Sequence, residues 1–309
     1  MSTYHVPVML HEAVDALCVK EGRLYFDGTL GGGSHSERIL QLGGRIISTD
    51  RDSEAIDHVL SRFSRNSAYA GRYTLVKDNF KNVLQILKDK NIDKLDGALL
   101  DLGISSHQID EANRGFSYMK DAQLDMRMDR DQLLSAMTVV NEYSEDELSR
   151  VIYTYGEEHA ARRIAAAIVK KRKTEPIETT GQLVDIVASV VPKNPKAGHP
   201  AKKTFQALRI EVNDELKGLT EALNEIASVL KSGARFAVIT FHSLEDRIVK
   251  QTFRYMCTDC VCDKSLPVCV CGHKATAKLI SHKGIRPTQE EIENNSRSKS
   301  ATLRIIEKL

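Results

Sequence analysis

The chain has 309 residues, 41% of them hydrophobic, and a formal net charge of +2. That is enough apolar material for one large core or two modest ones. No run of ~18 apolar residues occurs, which excludes a spanning helix, and the start, Met1-Ser2-Thr3-Tyr4-His5-Val6-Pro7, lacks the charged-then-apolar form of a signal peptide, so the chain reads as cytoplasmic.

His11 to Leu17 has the pattern of a short helix, with Ala13, Val14 and Leu17 on one side. Leu24 to Gly31 reads as the first strand. Gly28, Gly31, Gly32 and Gly33 crowd the turn that follows. Only glycine lets a backbone turn tightly and still press against a ligand. Ser34-His35-Ser36-Glu37 has the Ser-x-x-Glu form of a capping box, which predicts a helix with Ser34 as its N-cap, stopping at Gly43-Gly44. Strand, glycine loop and helix start together describe a nucleotide-type site, with a glycine-rich surface turn as the alternative. Strands are expected at Arg45 to Asp50, Tyr73 to Lys77 and Leu95 to Gly103, and helices at Ser53 to Phe63 and Asn82 to Lys88. This alternation predicts an α/β fold with a parallel, doubly wound sheet.

The alternation then stops. Between Asn113 and Pro200 no strand is expected, and helices are predicted from Ser144 (another Ser-x-x-Glu), over Glu158 to Lys173, and over Thr180 to Val191. Residues 113–203 therefore read as an inserted helical domain between a first part, 1–112, and a second, 204–309. Lys193 to Lys203 is a basic linker with Pro195, Gly198 and Pro200. Arg162, Arg163, Lys170, Lys171, Arg172, Lys173, Lys193, Lys196, Lys202 and Lys203 face only Glu175, Glu178 and Asp185 across that span. Such a local basic field suits a polyanion, and a solvated helix face is the plainer reading. After it come a helical stretch from Thr204 to Leu230, a strand from Ala234 to Phe241 entered through Ser232-Gly233, and a helix from Leu244 to Tyr255. Two last strands, Ala277 to Ser281 and Ala301 to Ile306, suggest an antiparallel edge pair.

In an open parallel sheet, ligands bind beyond the carboxyl ends of the strands. Asp27, Asp50, Asp101 and His242 stand at such ends, with Phe80 and Gln108 just after two of them. Asp50 occupies the usual place of an acid that accepts from ribose hydroxyls, and Phe80 could cover an adenine. The loop is not the dinucleotide form G-x-G-x-x-G. Its Asp27-x-x-x-Gly31-x-Gly33 resembles the first motif of S-adenosylmethionine (SAM) methyltransferases, whose cationic donor tolerates an acid where a pyrophosphate would be repelled. Arg114-Gly115-Phe116-Ser117-Tyr118 interleaves a cation with two aromatics on which single-stranded bases could stack, or which could anchor the insertion to its core. In Leu124-Asp125-Met126-Arg127-Met128-Asp129 the charges compensate one another. Five cysteines crowd residues 257–273 as C-x2-C-x-C-x6-C-x-C. Cys257, Cys260, Cys269 and Cys271 are one possible zinc set, with Cys262 or His273 as substitutes, against a reduced cysteine-rich loop.

Taken together, the chain resembles the bacterial small-subunit ribosomal RNA cytosine-N4 methyltransferases, the RsmH (MraW) family. The likeness runs nearly end to end through His5 to Leu10, Asp27 to Ser36, Asp50-Arg51-Asp52, Asp101 to Gln108, Arg114 to Ser117, Leu124 to Asp129, Thr204 to Ile210 and Phe241 to Arg247. It implies a class I SAM-dependent methyltransferase fold with an inserted all-α domain, SAM as methyl donor, and a cytidine in the decoding region of 16S rRNA, in the small ribosomal subunit, as acceptor. It carries the cofactor contacts to Gly33, Ser34, His35, Asp50, Phe80, Asp101 and Gln108. Two positions depart from the family's habit: Ser34 replaces the second glycine of a Gly-Gly-His, and Asp121-Ala122-Gln123 replaces Asp-Gly-Pro. The cysteine cluster occurs in some members only, which argues against a catalytic role.

Cytosine N4 is a poor nucleophile because its lone pair is delocalised into the ring. It must be aligned and must donate a hydrogen bond. Asp101, or the Leu102 carbonyl, is the expected acceptor, and Arg114, Phe116 and Tyr118 are the expected substrate contacts. A DNA amino-methyltransferase would carry a Pro-Pro-aromatic motif after the fourth strand, which Asp101-Leu102-Gly103-Ile104-Ser105-Ser106 lacks. No membrane partner is expected. The oligomeric state stays open, with a homodimer among the alternatives.

Overall fold

The computed structural model describes residues 7–192, 198–263, 266 and 268–309. His5 and Val6, and Lys193, Pro195 and Lys196 of the basic linker, lie outside the described residues. By internal contacts the chain divides into two compact units, Met1–Gly103 with Lys217–Leu309, and Ile104–Leu216.

In the first unit, the elements up to Gly103 are α1 (Leu10–Ala16), β1 (Leu24–Asp27), α2 (Ser34–Gln41), β2 (Arg45–Asp50), α3 (Ser53–Phe63), β3 (Tyr73–Lys77), α4 (Val83–Asp89) and β4 (Leu95–Asp101). The helical unit then supplies α5 (Ser106–Asp110), α6 (Ala136–Glu142), α7 (Glu145–Gly156), α8 (Ala161–Arg172), α9 (Thr180–Val190) and α10 (Lys202–Asn213). The chain returns to the first unit with α11 (Leu219–Ser228), β5 (Leu230–Thr240), α12 (Ser243–Met256), β6 (Ala277–Leu279), α13 (Gln289–Asn294) and β7 (Thr302–Lys308).

The seven strands form one sheet in the order β3-β2-β1-β4-β5-β7-β6. All pairs from β3 to β5 are parallel, and β7 runs antiparallel to both neighbours. Strand side chains alternate between faces, so each face has its own core. Phe26, Ile47, Leu100, Phe236 and Val238 pack with Val83 and Leu87 of α4, Leu223 and Ile226 of α11, and Val249 and Phe253 of α12. Tyr25, Ile46, Leu99, Ala237 and Ile239 pack on the other side with Val14 of α1, Ile39 and Leu40 of α2, and Val59 and Phe63 of α3. This is a doubly wound α/β sheet of the class I methyltransferase type. Its strand order reverses between β1 and β4, which is where such sheets open a crevice for ligand.

The helical unit closes its own core from Leu124, Met126, Val139, Leu148, Ile152, Ile164, Ile168, Leu183, Val187, Phe205 and Leu208. Several of its helices start at side-chain caps, whereas α8 and α10 start at Ala160 and Ala201 without one. Ser144 with Glu147 and Thr179 with Gln182 form reciprocal capping boxes, and Ser135 caps α6. Between residues 113 and 200 no strand forms among the described residues, and Gln123 and Thr179 make an isolated bridge.

Three local expectations are corrected. Ser34 is not the N-cap of α2. Gly33, left-handed at φ 75°, takes that place without a side-chain cap, and Glu37 meets Arg62 at 3.3 Å instead of reaching back. The stretch from Thr204 to Leu230 is two helices, broken where Asp214 (φ 51°) and Gly218 (φ 71°) both turn left-handed. α10 therefore packs with the helical unit, and the chain divides at Ile104 and Leu216 rather than at 113 and 203. The first strand ends at Asp27, because the residues after it already belong to the loop.

Candidate active site

The glycine loop sits where the strand order reverses. Gly28 admits no Cβ, which would stand 2.4 Å from a Leu100 methyl and 2.7 Å from Phe80 Cβ. That close approach sets Phe80, the first residue of a short 3-10 turn after β3, beside the loop. Gly33 is needed twice over, for its positive φ and because a Cβ would meet Val59 at 2.7 Å.

Three acidic residues hold the loop, two through their carboxyls and one through its backbone. Asp27, buried, accepts from the Thr29 N–H at 3.1 Å and from Ser36 Oγ at 2.7 Å, tying β1 to α2. Asp50, half-buried at the end of β2, accepts from the Gly31 N–H at 2.7 Å and the Asp52 N–H at 2.9 Å. Asp101, at the end of β4, donates its N–H to Thr29 Oγ1 at 2.6 Å. Its side chain is 13% exposed, and Oδ2 stands 3.9 Å from Nδ1 of buried His35, whose Nε2 lies 3.2 Å from the Val8 carbonyl. Oδ1 is shielded from water and has no hydrogen-bond partner.

Burial raises all three acids. Asp50 is pushed up to about 6 by desolvation, opposed by its N–H donors and helped by the Asp52 and Asp27 charges. Burial likewise raises Asp27, against its bonds to Ser36 and Thr29. Asp101 stands well above the usual carboxylate range, first through burial and then through the charges of Asp27, Glu245 and Glu291. Three acids whose ionised forms are disfavoured by burial suit a cationic ligand, because a positive charge returns each acid toward its ionised form.

The remaining expected contacts fall in the helical unit. Gln108 is buried and completes a capping box with Ser105, accepting the Ser105 N–H at 3.1 Å. Two expected substrate residues are corrected. Arg114 is 2% exposed and donates to the carbonyls of Arg127 and Met128 at 3.1 and 3.0 Å. Phe116 lies in the core of the helical unit. Both serve as anchors there, leaving neither free to stack a base. Tyr118 is half-buried, stacked on His199 at 4.7 Å and edge-on to Phe205. Asp125 and Arg127 pair through two bonds, of 2.6 and 3.1 Å, as the charge alternation predicts. The cysteine set is also corrected. The sulfurs that converge are those of Cys260, Cys262, Cys269 and Cys271, and Cys257 is not among them.

Other features were missed. Thr29 holds the Asp101 backbone, and the only sequence signal is its place inside the glycine loop. A cavity of about 500 Å³ opens beyond β5, lined among others by His242, Ser243, Arg247, Lys250 and Arg286. The Phe241-His242-Ser243-Leu244-Glu245-Asp246-Arg247 run pointed to its rim, but Arg286 arrives from a distant stretch. His242 is the N-cap of α12, and its Nε2 lies 3.1 Å from Glu245 Oε1.

The sequence profile of the MraW methylase family matches residues 2–309. The chain belongs to the MraW methylase family. Relatives of this methylase include "Ribosomal RNA small subunit methyltransferase H" of Clostridioides difficile (strain 630), 48% identical over 314 residues and covering 100% of both chains. The protein of the same name from Clostridium botulinum (strain Kyoto / Type A2) is 49% identical over 315 residues, again with 100% of each covered. Among solved structures, an rRNA methylase from Streptococcus thermophilus covers 98% of each chain at 11% identity with a TM-score of 0.45, a likeness too loose to add to the topology read above. The methyl donor of this methylase is SAM, and the acid-lined glycine loop fits a sulfonium cation. No helix among the described residues is long and apolar enough to cross a membrane.

Proposed function

We propose that the chain methylates the exocyclic N4 of a cytidine in the decoding region of 16S rRNA, acting on the assembled or nearly assembled small subunit. The observation that carries this reading is Asp101. It holds a shielded carboxylate oxygen without a partner, at the end of β4 and beside the glycine loop, in a chain that matches rRNA small-subunit methyltransferases from end to end.

Gly33, Ser34 and His35 at the start of α2, with Asp50 and Phe80, would hold SAM. Once bound, SAM supplies an electrophilic methyl group. Each Asp50 oxygen already takes one backbone N–H and keeps lone-pair capacity for ribose hydroxyls. Asp101 Oδ1 accepts a hydrogen bond from the N4 amino group, which localises the nitrogen lone pair for attack. It then takes the proton that N4 must lose, since the methylated amine keeps one hydrogen fewer. The Thr29 bond and the nearby His35 ring fix its direction. Arg247, Lys250 and Arg286 around the cavity beyond β5 suit RNA phosphates, as do Arg162, Arg163, Lys170, Lys171 and Lys173, exposed along and just past α8.

The test is transfer of tritiated methyl from SAM to naked 16S rRNA, free small subunits and DNA in parallel, with the labelled nucleoside identified by mass spectrometry. Label as N4-methylcytidine on small subunits alone is expected. Label on DNA alone, or on another base, would overturn the reading. Asp101→Asn and Asp101→Ala should each lower kcat by about 10² to 10⁴-fold, with SAM still bound. Full turnover in both would remove Asp101 from catalysis.

A further inference from the structure

Between Met256, the last residue of α12, and Ala277, the first of β6, the chain makes a loop closed at its base by the Thr276 N–H donating to the Met256 carbonyl at 2.8 Å. Among the described residues the loop has almost no apolar interior. Val261, Leu266, Val268 and Val270 are 44%, 47%, 72% and 77% exposed. Only Cys257, at its root, packs against the sheet's core.

Four sulfurs nevertheless meet. Those of Cys260, Cys262, Cys269 and Cys271 all lie within 4.8 Å of one another, and none is in a disulfide. The measured separations are 4.0 Å for Cys262 to Cys269, 3.6 Å for Cys269 to Cys271 and 3.9 Å for Cys271 to Cys260. Four thiolates placed tetrahedrally at about 2.3 Å from a zinc ion stand about 3.8 Å apart. Three of the six separations match that edge and all six lie within 4.8 Å, so the cluster is compact enough to surround one such ion.

The two C-x-C segments explain how. In extended backbone, residues i and i+2 point to the same side. Such spacing lets both sulfurs of a segment face one point, and the middle residues, Val261 and Val270, are 44% and 77% exposed while the four sulfurs converge. The Val270 N–H donates to Cys262 Sγ at 3.4 Å, the kind of backbone bond that supports a metal-bound thiolate. The other candidate ligands are engaged elsewhere. His273 lies tilted against the Tyr255 ring at 4.4 Å with Nε2 3.0 Å from the Tyr255 carbonyl, and Cys257 packs against the core.

We propose that Cys260, Cys262, Cys269 and Cys271 bind one zinc ion that stands in for the missing core of this loop. With four protein ligands the coordination is closed, so the ion is structural and takes no part in methyl transfer.

The test is metal content of the full-length protein, purified under reducing conditions from zinc-supplemented medium. One zinc per chain is expected in the wild type and in Cys257→Ser and His273→Ala, with loss of the metal in Cys262→Ser and Cys269→Ser. Cobalt loaded into the wild type should give thiolate-to-cobalt charge transfer and the strong visible bands of a tetrahedral tetrathiolate, a readout that does not depend on any variant folding. Stripping the metal should expose the loop to protease while the sheet's circular dichroism is unchanged. A wild type that takes up no zinc would overturn the proposal. So would iron in its place, or loss of metal in Cys257→Ser with retention in Cys262→Ser.

Discussion

Asp50 is asked to be an acceptor in a place that disfavours its charge. Its pKa, raised to about 6, makes two opposite pH dependences. In the ligand-free protein the folded state holds the proton more tightly than the unfolded chain. Stability from this group is full below the usual value of 3.8 and is lost as pH rises through about 6. A cationic donor whose ribose hydroxyls must donate to Asp50 favours the ionised form, so affinity runs the other way. The dissociation constant for SAM, measured by calorimetry, should rise as pH falls below about 6, with a limiting slope of about tenfold per unit. Asp50→Asn should bind weakly and flatten the profile. An unchanged slope in the variant would show that the dependence belongs to Asp27 or Asp101. At this scale the sequence was legible for a residue's place in the fold: Asp50 and Asp101 end strands, and Phe80 follows one. It was not legible for Arg114 and Phe116. A cation beside two aromatics looks the same whether its guanidinium meets RNA or two backbone carbonyls, and only burial separates the two.

Helix starts show the same division between local rule and surroundings. Ser34-x-x-Glu37 and Ser144-x-x-Glu147 are alike in sequence. Ser144 caps α7, its Oγ accepting the Glu147 N–H at 3.2 Å while Glu147 Oε2 accepts the Ser144 N–H at 2.8 Å. Ser34 caps nothing, because left-handed Gly33, packed on Val59, takes the turn one residue earlier. Thermal or urea unfolding should therefore separate them. Ser144→Ala is expected to cost about 1 kcal/mol, and Ser34→Ala only a few tenths, while Gly33→Ala, forced into a left-handed conformation, should cost about 1–2 kcal/mol or more. Equal losses at Ser34 and Ser144 would contradict the assignment of Gly33 as the N-cap. The break at Asp214 and Gly218 escaped notice for a related reason. Apolar spacing continues through both helices, and a left-handed aspartate leaves no mark on periodicity.

For the whole molecule, the doubly wound sheet was legible because short apolar runs, such as Leu24-Tyr25-Phe26, Ala98-Leu99-Leu100 and Phe236-Ala237-Val238-Ile239, alternate with amphipathic helices. The helical unit was legible because that alternation stops. The cavity beyond β5 was not, since it joins Arg247 and Lys250 of α12 to Arg286, nearly forty residues on. Arg286 also donates to the carbonyls of Ser300 and Ala301 at 3.3 and 3.2 Å, so removing it would disturb the fold. Lys250 is exposed and on the rim, which makes it the cleaner probe. If the cavity receives RNA phosphates, Lys250→Ala should weaken binding to small subunits while leaving the affinity for SAM unchanged. The slope of log affinity against log salt should fall by about one, the signature of a single lost phosphate contact. Lys250→Glu should weaken it further by repulsion, and kcat at saturating subunit should hold in both, because Asp101 and the glycine loop are untouched. An unaltered salt slope, or a parallel loss of SAM binding, would remove the cavity from the RNA path and leave the exposed basic face of α8 to carry it.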